Sequence, residues 1–421
     1  MFTTWGAVAG LVLAIVLIVR KVTPVYALVF GALVGGLASS LPIFGGGDVG
    51  LEDTVKAMIE GTKSMMPSVL RILASGVLVG ALVKTGSAAK IADAIVNALG
   101  ARFALAAVAL ATMIVCAVGV FVDISVITVA PVALAVGKKA NIPVPALLLA
   151  MIGGGKAGNI ISPNPNTIAA ADAFGVDLTA LMAANIIPAI CALVTAILLA
   201  TFLAKCGKNA ARTVSDETSE GQALPNILSA VAGPVVVVVL LALRPLCKIS
   251  IDPLIALPVG GLVSIVACGA IRQTIAYAEF GLGKVTGVAI LLIGTGTVAG
   301  IVKGSALQTD MTSLLQALHL PTAALAPAAG IVMAGATAST TAGATIAAQT
   351  FSGTLLEAGV PALAAAAMVH AGATVIDSLP HGSFFHATGG AVFMSVKDRL
   401  KLIPFEAAVG LVSTIVATVL R

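Results

Sequence analysis

The chain has 421 residues, of which 59% are hydrophobic and only 10% charged, and its formal net charge is +5. A soluble fold of this size needs far more polar surface, so the composition excludes that class and points to an all-α polytopic membrane protein. The basic excess is scattered over loop ends rather than gathered in a run, which argues against a nucleic-acid partner and for a topology signal.

The first apolar run, Trp5 to Val19, has no charged leader before it and no small-residue cleavage site after it. It is expected to be a retained span in the lipid bilayer. Apolar runs near 24–43, 66–83, 103–121, 123–137, 143–160, 178–204, 226–247, 253–271, 283–302, 321–337, 341–356, 361–376 and 403–420 follow. Runs of this length predict about 12–14 spans, several of them short or broken. Basic residues close every second run: Arg20 and Lys21, Lys84 and Lys90, Lys138 and Lys139, then Lys205, Lys208 and Arg212. The segment after the second run is mainly acidic (Asp48, Glu52, Asp53, Glu60). This alternation predicts an N-terminus outside the cytoplasm. Arg71 and Arg244 read as residues near span ends whose charged heads snorkel to water.

Residues 205–225 form the one long polar linker, read as a solvated cytoplasmic loop. It separates an N-terminal half, 1–204, from a C-terminal half, 226–421. The five cysteines show neither CxxC pairing nor metal spacing, so no metal and no cofactor is expected.

The halves repeat each other in order. Val79–Ser87 (VGALVKTGS) parallels Val298–Ser305 (VAGIVKGS), and Asn97-Ala98-Leu99 falls opposite Gln316-Ala317-Leu318. Pro145-Ala146-Leu147 then parallels Pro361-Ala362-Leu363, and that register sets Ser162-Pro163-Asn164-Pro165 against Ser378-Leu379-Pro380-His381. The charge pattern puts Lys84 inside and Lys303 outside, which predicts two inverted repeats. Secondary transporters of that design hold substrate and coupling ions in paired broken helices near the bilayer midplane.

Two interrupted segments fit that scheme. The first, 153–171, carries Pro163 and Pro165, which lack amide protons and break a helix ladder. Irregular backbone at membrane depth survives only where protein buries it or where it lines a cavity. Its Lys156, Asn159, Ser162, Asn164, Asn166 and Thr167 are candidate contacts for a small organic anion, with a helix N-terminus at the break to attract a carboxylate. The second, 369–390, supplies Ser378, His381 and Ser383 as contacts and Asp377 and His370 as proton carriers, with His386 nearby. A histidine there has a competing role at the interface or in satisfying broken backbone. Asp123 follows some fifteen apolar residues, as a buried proton acceptor or as a cap for the next helix. Ser339, Thr340 and Thr341 offer hydroxyls to a ligand or back to helix carbonyls.

With these residues in view, the chain resembles the gluconate permease (GntP) family of bacterial organic-acid:proton symporters. The resemblance rests on VFVDISVITVAPVAL around Asp123, PNPNTIAAADAFGVDL from Pro163, ASTTAGATIAA from Ala338, and ATVIDS with GSFF from Ala373 to Phe385. It implies proton-coupled symport of a small hydroxy-carboxylate (gluconate, glycerate or a related acid) across the bacterial inner membrane by alternating access. It also implies re-entrant hairpins, an elevator-type cycle and a homodimer. Asp123 stands where the family has glutamate, and both loop turns differ from the family's PHPG and SHVND, which leaves the carboxylate open. The alternatives are a sodium-coupled carboxylate symporter or cation/proton antiporter, in which sodium replaces the proton, and, more distantly, an intramembrane enzyme. No nucleophile–base pair or metal motif supports the last.

Overall fold

The computed structural model describes residues 2–44, 46, 48–206, 224–247, 249, 251–307, 310, 322–380 and 382–420. Among them the chain is almost wholly helical, with a single isolated bridge between Phe2 and Ser305. The first half runs α1 (Thr4–Val19), α2 (Pro24–Ala38), α3 (Leu51–Ser64), α4 (Met66–Lys84), α5 (Ser87–Leu99), α6 (Ala104–Ala117), α7 (Val122–Ala140), α8 (Val144–Asn159), α9 (Pro165–Phe174), α10 (Leu178–Ala184) and α11 (Ile186–Cys206). The second runs α12 (Ile227–Cys247), α13 (Pro253–Ala267), α14 (Thr274–Lys303), α15 (Leu325–Thr337), α16 (Thr340–Glu357), α17 (Ala362–Gly372), α18 (Ser383–Ala391), α19 (Val396–Leu400) and α20 (Ile403–Val419).

Among the described residues, four stretches are each long and apolar enough to cross a membrane: Met66–Lys84, Ile186–Lys205, Ile271–Lys303 and Val396–Val419. The pair α9 and α10, bent by 109°, makes a fifth if counted as one broken span. Seven further apolar helices among the described residues have only 10–17 residues. At 1.5 Å per residue, a 16-residue helix reaches about 24 Å, short of a hydrocarbon core of about 30 Å. The chain is a multi-pass membrane protein whose apolar helices are mostly interrupted or short.

Several boundaries differ from those read in the sequence. The run 178–204 is two helices, because Asn185 ends α10 and Pro188, which lacks an amide proton, sits in the first turn of α11. The run at 283–302 begins earlier, at Thr274, so α14 is 30 residues long and carries Lys284 in its interior. The helices α3 and α5, amphipathic rather than uniformly apolar, lie in segments where the apolar runs predict no span. The break in 153–171 is confined to 160–164, and Gly153–Asn159 is helical. Glycine there serves packing: a Cβ on Gly154 would stand 2.0 Å from the Ala109 carbonyl oxygen, so α8 touches the α6 backbone. Arg71 does not snorkel; it forks between Asp172 and Asp252. The side chain of Arg244 and most of the 205–225 linker lie outside the described residues.

Two packing groups emerge. Helices α1 to α4 assemble with α12 to α14, and α6 to α9 and α11 with α15 to α18 and α20. Inside the second group the contacts are crossed. Helix α9 packs on α16 while α18 packs on α7, and α8 lies on α11 as α17 lies on α20. From 146 to 171 every residue but Ile161 is buried, so protein rather than lipid covers the irregular backbone.

Candidate functional site

Four helices begin at one place. Helix α7 starts after a break at 118–121 that turns on Gly119, whose φ of +111 is open to glycine. Helix α9 starts at Pro165, fixed in the first helical position, and Asn164 caps it by accepting from the amides of Asn166 (2.9 Å) and Thr167 (3.1 Å). Helix α16 follows Ala338 at φ +47, and the Ser339 hydroxyl accepts from the Ala342 amide at 3.2 Å. Helix α18 follows Gly382, which lies so close to that break that a Cβ would stand 2.3 Å from the Ala338 carbonyl oxygen.

These four N-termini line a cavity of about 220 Å³. Residues Phe121 to Ile124 come from α7, Asn166 from α9, Ser339 to Thr341 from α16, and Ser383 and Phe384 from α18. Asn159, at the end of α8, and Lys284 and Val288, one turn apart on α14, complete the wall. A helix N-terminus carries about half a positive charge, so four of them favour an anion; α9 contributes its dipole alone, because Pro165 has no amide proton and Asn164 takes those of Asn166 and Thr167. Lys284 adds a full positive charge, and among the described residues Asp123 is the one carboxylate in the lining.

Three asparagines shape the wall. The Asn164 side-chain amide donates to the Asn159 backbone carbonyl (2.9 Å) and to Asn159 Oδ1 (2.5 Å), and Asn166 Nδ2 donates to the same Oδ1 at 2.9 Å. Asn159 Nδ2 and Asn166 Oδ1 are buried without partners among the described residues. One unused donor and one unused acceptor therefore sit in side chains of two residues of the cavity wall.

Behind the wall lies a buried ion pair. Lys156 Nζ is 2.7 Å from Asp377 Oδ1, with the side chains only 2% and 1% exposed. The ammonium also donates to the Thr374 carbonyl at 2.5 Å and the Glu406 carbonyl at 3.3 Å. Thr340, on the cavity wall, donates to Asp377 Oδ2 at 2.5 Å, and Ser378 donates to Oδ1 at 3.0 Å.

Of the residues singled out in the sequence, Asp123, Asn159, Asn166, Ser339, Thr340, Thr341 and Ser383 thus meet at the cavity. Asn164 and Thr167 sit one step back, in the cap. Lys156, Asp377 and Ser378 form the ion-pair cluster, where the lysine's charge is already matched by a carboxylate. Ser162 and His370 are buried away from the wall, with the Ser162 hydroxyl and both His370 ring nitrogens unpartnered among the described residues. His386 Nε2 lies 2.8 Å from the Pro380 carbonyl, and His381 is outside the described residues. Among the described residues no cluster of His, Cys, Asp or Glu is arranged for a metal. Lys284 escaped the sequence reading because it fell at the edge of an apolar run; the glycine-rich continuity of FGLGKVTG was the available sign that the helix passes through it.

Residues 2–420 match the profile of the GntP family permeases. An uncharacterized transporter of Haemophilus influenzae is 53% identical over 418 residues, covering 99% of this chain and 97% of its own. In fold, the chain is similar to the Alcanivorax borkumensis YdaH transporter, whose crystal structure is described as having an unusual topology: TM-score 0.68, 16% identity, and 88% of each chain covered. The chain belongs to the GntP family of permeases and is a membrane transporter, not an enzyme.

Proposed function

We propose that the chain is a secondary active transporter that carries a small hydroxy-carboxylate together with a proton across the bacterial inner membrane. The observation that carries this reading is the meeting of four helix N-termini on one cavity that also holds Asp123. The substrate carboxylate takes amide protons at the starts of α16 and α18, beside the hydroxyls of Ser339, Thr341 and Ser383. A substrate hydroxyl pairs with Asn159 Nδ2 and Asn166 Oδ1.

Asp123 links that anion to a proton. Two unit negative charges about 4 Å apart repel by about 4 kcal/mol at an effective dielectric near 20. A carboxylate substrate therefore shares the cavity with the protonated acid, and the two are taken up together. The crossed packing of α9 on α16 and α18 on α7 supports a design of two inverted repeats, 1–204 and 226–421, whose hairpins move as one body in an elevator-type alternating-access cycle. In that cycle the Lys156–Asp377 pair ties the two hairpins, and Thr340 reports the ligand to it. The working unit is a homodimer.

Thermal unfolding of the purified carrier against gluconate, glycerate and related hydroxy-acids tests the binding half of this reading. A ligand at a hundred times its Kd adds about 2.7 kcal/mol to the folded state. Stabilisation by at least one hydroxy-acid, and not by its amide, is expected. No response to any carboxylate would remove the anion from the proposal.

A further inference from the structure

Helices α4 and α14 cross with their backbones touching. A Cβ on Gly80 would stand 1.9 Å from the Tyr277 carbonyl oxygen, and one on Gly281 would stand 1.8 Å from the Gly76 carbonyl oxygen. Only glycine permits that approach, and it fixes what lies one turn further along. Lys84, four residues after Gly80, ends α4 with its ammonium 4.3 Å from the centre of the Phe280 ring. Lys284, one turn after Phe280 on α14, places its ammonium 5.2 Å from the same ring. Two cations thus share one aromatic ring, each attracted to its electron-rich π system.

Both lysines are exposed, and among the described residues neither makes an ion pair with a carboxylate. Lys284 also belongs to the cavity wall. The arrangement runs from the solvent-facing end of α4, across Phe280, to the four helix N-termini. The geometry points to a carboxylate-docking station at the mouth of the cavity, in which Lys84 and Lys284, held apart and in place by Phe280, capture an anion and hand it inward. Two ammoniums on one ring, 4.3 and 5.2 Å from its centre, make a local excess of positive charge that favours a counter-anion beside them. The carboxylate that shares the cavity wall with Lys284 is Asp123, and it is neutral whenever it carries the proton. This inference rests on reading the cavity as an anion site, and its test needs no knowledge of the substrate.

The test places a reporter thiol in the cavity, Ser383→Cys, and subtracts labelling of the unsubstituted chain's own cysteines. Modification rates are compared for an anionic (sulfonatoethyl) and a cationic (trimethylammonioethyl) methanethiosulfonate reagent of similar size. At low ionic strength the anionic reagent is expected to react faster. Lys84→Gln and Lys284→Gln should each cut that preference by roughly fivefold, and raised salt should erase it. Phe280→Leu, which keeps an apolar side chain but removes the ring, should lower it by a smaller factor. Equal rates for the two reagents in the parent, or a preference unchanged in both lysine variants, would overturn the docking station. A carrier that binds no hydroxy-acid yet keeps the lysine-dependent preference would defeat the proposed substrate and leave the station standing.

Discussion

The ammonium of Lys156, in the first interrupted segment, lies 2.7 Å from the carboxylate of Asp377, in the second, and both are almost wholly excluded from solvent. One charge from each half of the chain is cancelled by the other. Removing one partner strands the other in a low-dielectric interior, at a cost of about 3–5 kcal/mol, whereas an apolar pair of similar volume is close to neutral. Asp377→Asn and Lys156→Met are each expected to lower the unfolding temperature in detergent sharply. The double variant Lys156→Met with Asp377→Leu should recover most of the loss. A single variant as stable as the parent would show that the pair does not join the hairpins.

Among the described residues Asp123 is the one carboxylate on the cavity wall, so its neutral replacement separates binding from coupling. Asp123→Asn is expected to abolish gradient-driven accumulation while sparing exchange of substrate across the membrane. Counterflow and uphill uptake, measured in parallel, check this. If uphill uptake survives, the proton travels on another group, and Asp377 is the next to test.

Asn164 does two jobs at once, capping α9 and holding Asn159 in place. Asn164→Ala is expected to cost about 1–2 kcal/mol, the usual loss for a cap. It should also weaken substrate affinity, because it frees Asn159, which lines the cavity. A Kd that does not move would confine Asn164 to helix capping.

Arg71 on α4 joins three elements. Its guanidinium pairs with Asp172 near the end of α9, and donates to Asp252, the cap of α13, from Nε at 3.0 Å and from Nη2 at 2.6 Å. Ser68 donates to the same Asp172 at 2.6 Å. Only a forked cation reaches both carboxylates, so Arg71→Lys should behave nearly like Arg71→Ala. Each is expected to lose roughly 2 kcal/mol of stability, given that the side chain is partly exposed. Full stability in the lysine variant would mean that charge alone suffices.

The location of the breaks that border the cavity was readable in the sequence, because prolines and asparagines inside apolar runs interrupt helices that lipid requires to be continuous unless protein or a cavity takes over the freed backbone groups. Asn159, Asn166, Ser339, Thr340 and Ser383 were each identifiable from local chemistry. Their meeting was not readable, since it depends on α9 packing on α16 and α18 on α7, contacts between residues far apart in the chain. For the same reason Lys156 looked like a free cation facing a ligand: its partner Asp377 lies in the other half. Local signals also misplaced the break in 153–171, because glycine marks both a turn and a close helix crossing. Only the proximity of Ala109 shows that Gly154 serves the latter.

An anion and a proton sharing this cavity is the central claim. Uptake of labelled gluconate and glycerate into proteoliposomes, under an imposed pH gradient without sodium, tests it most directly. Accumulation above the external concentration is expected, abolished by a protonophore and absent in Asp123→Asn. Uptake that ignores the pH gradient and follows a sodium gradient, or no gradient-dependent uptake of any small carboxylate, would contradict it.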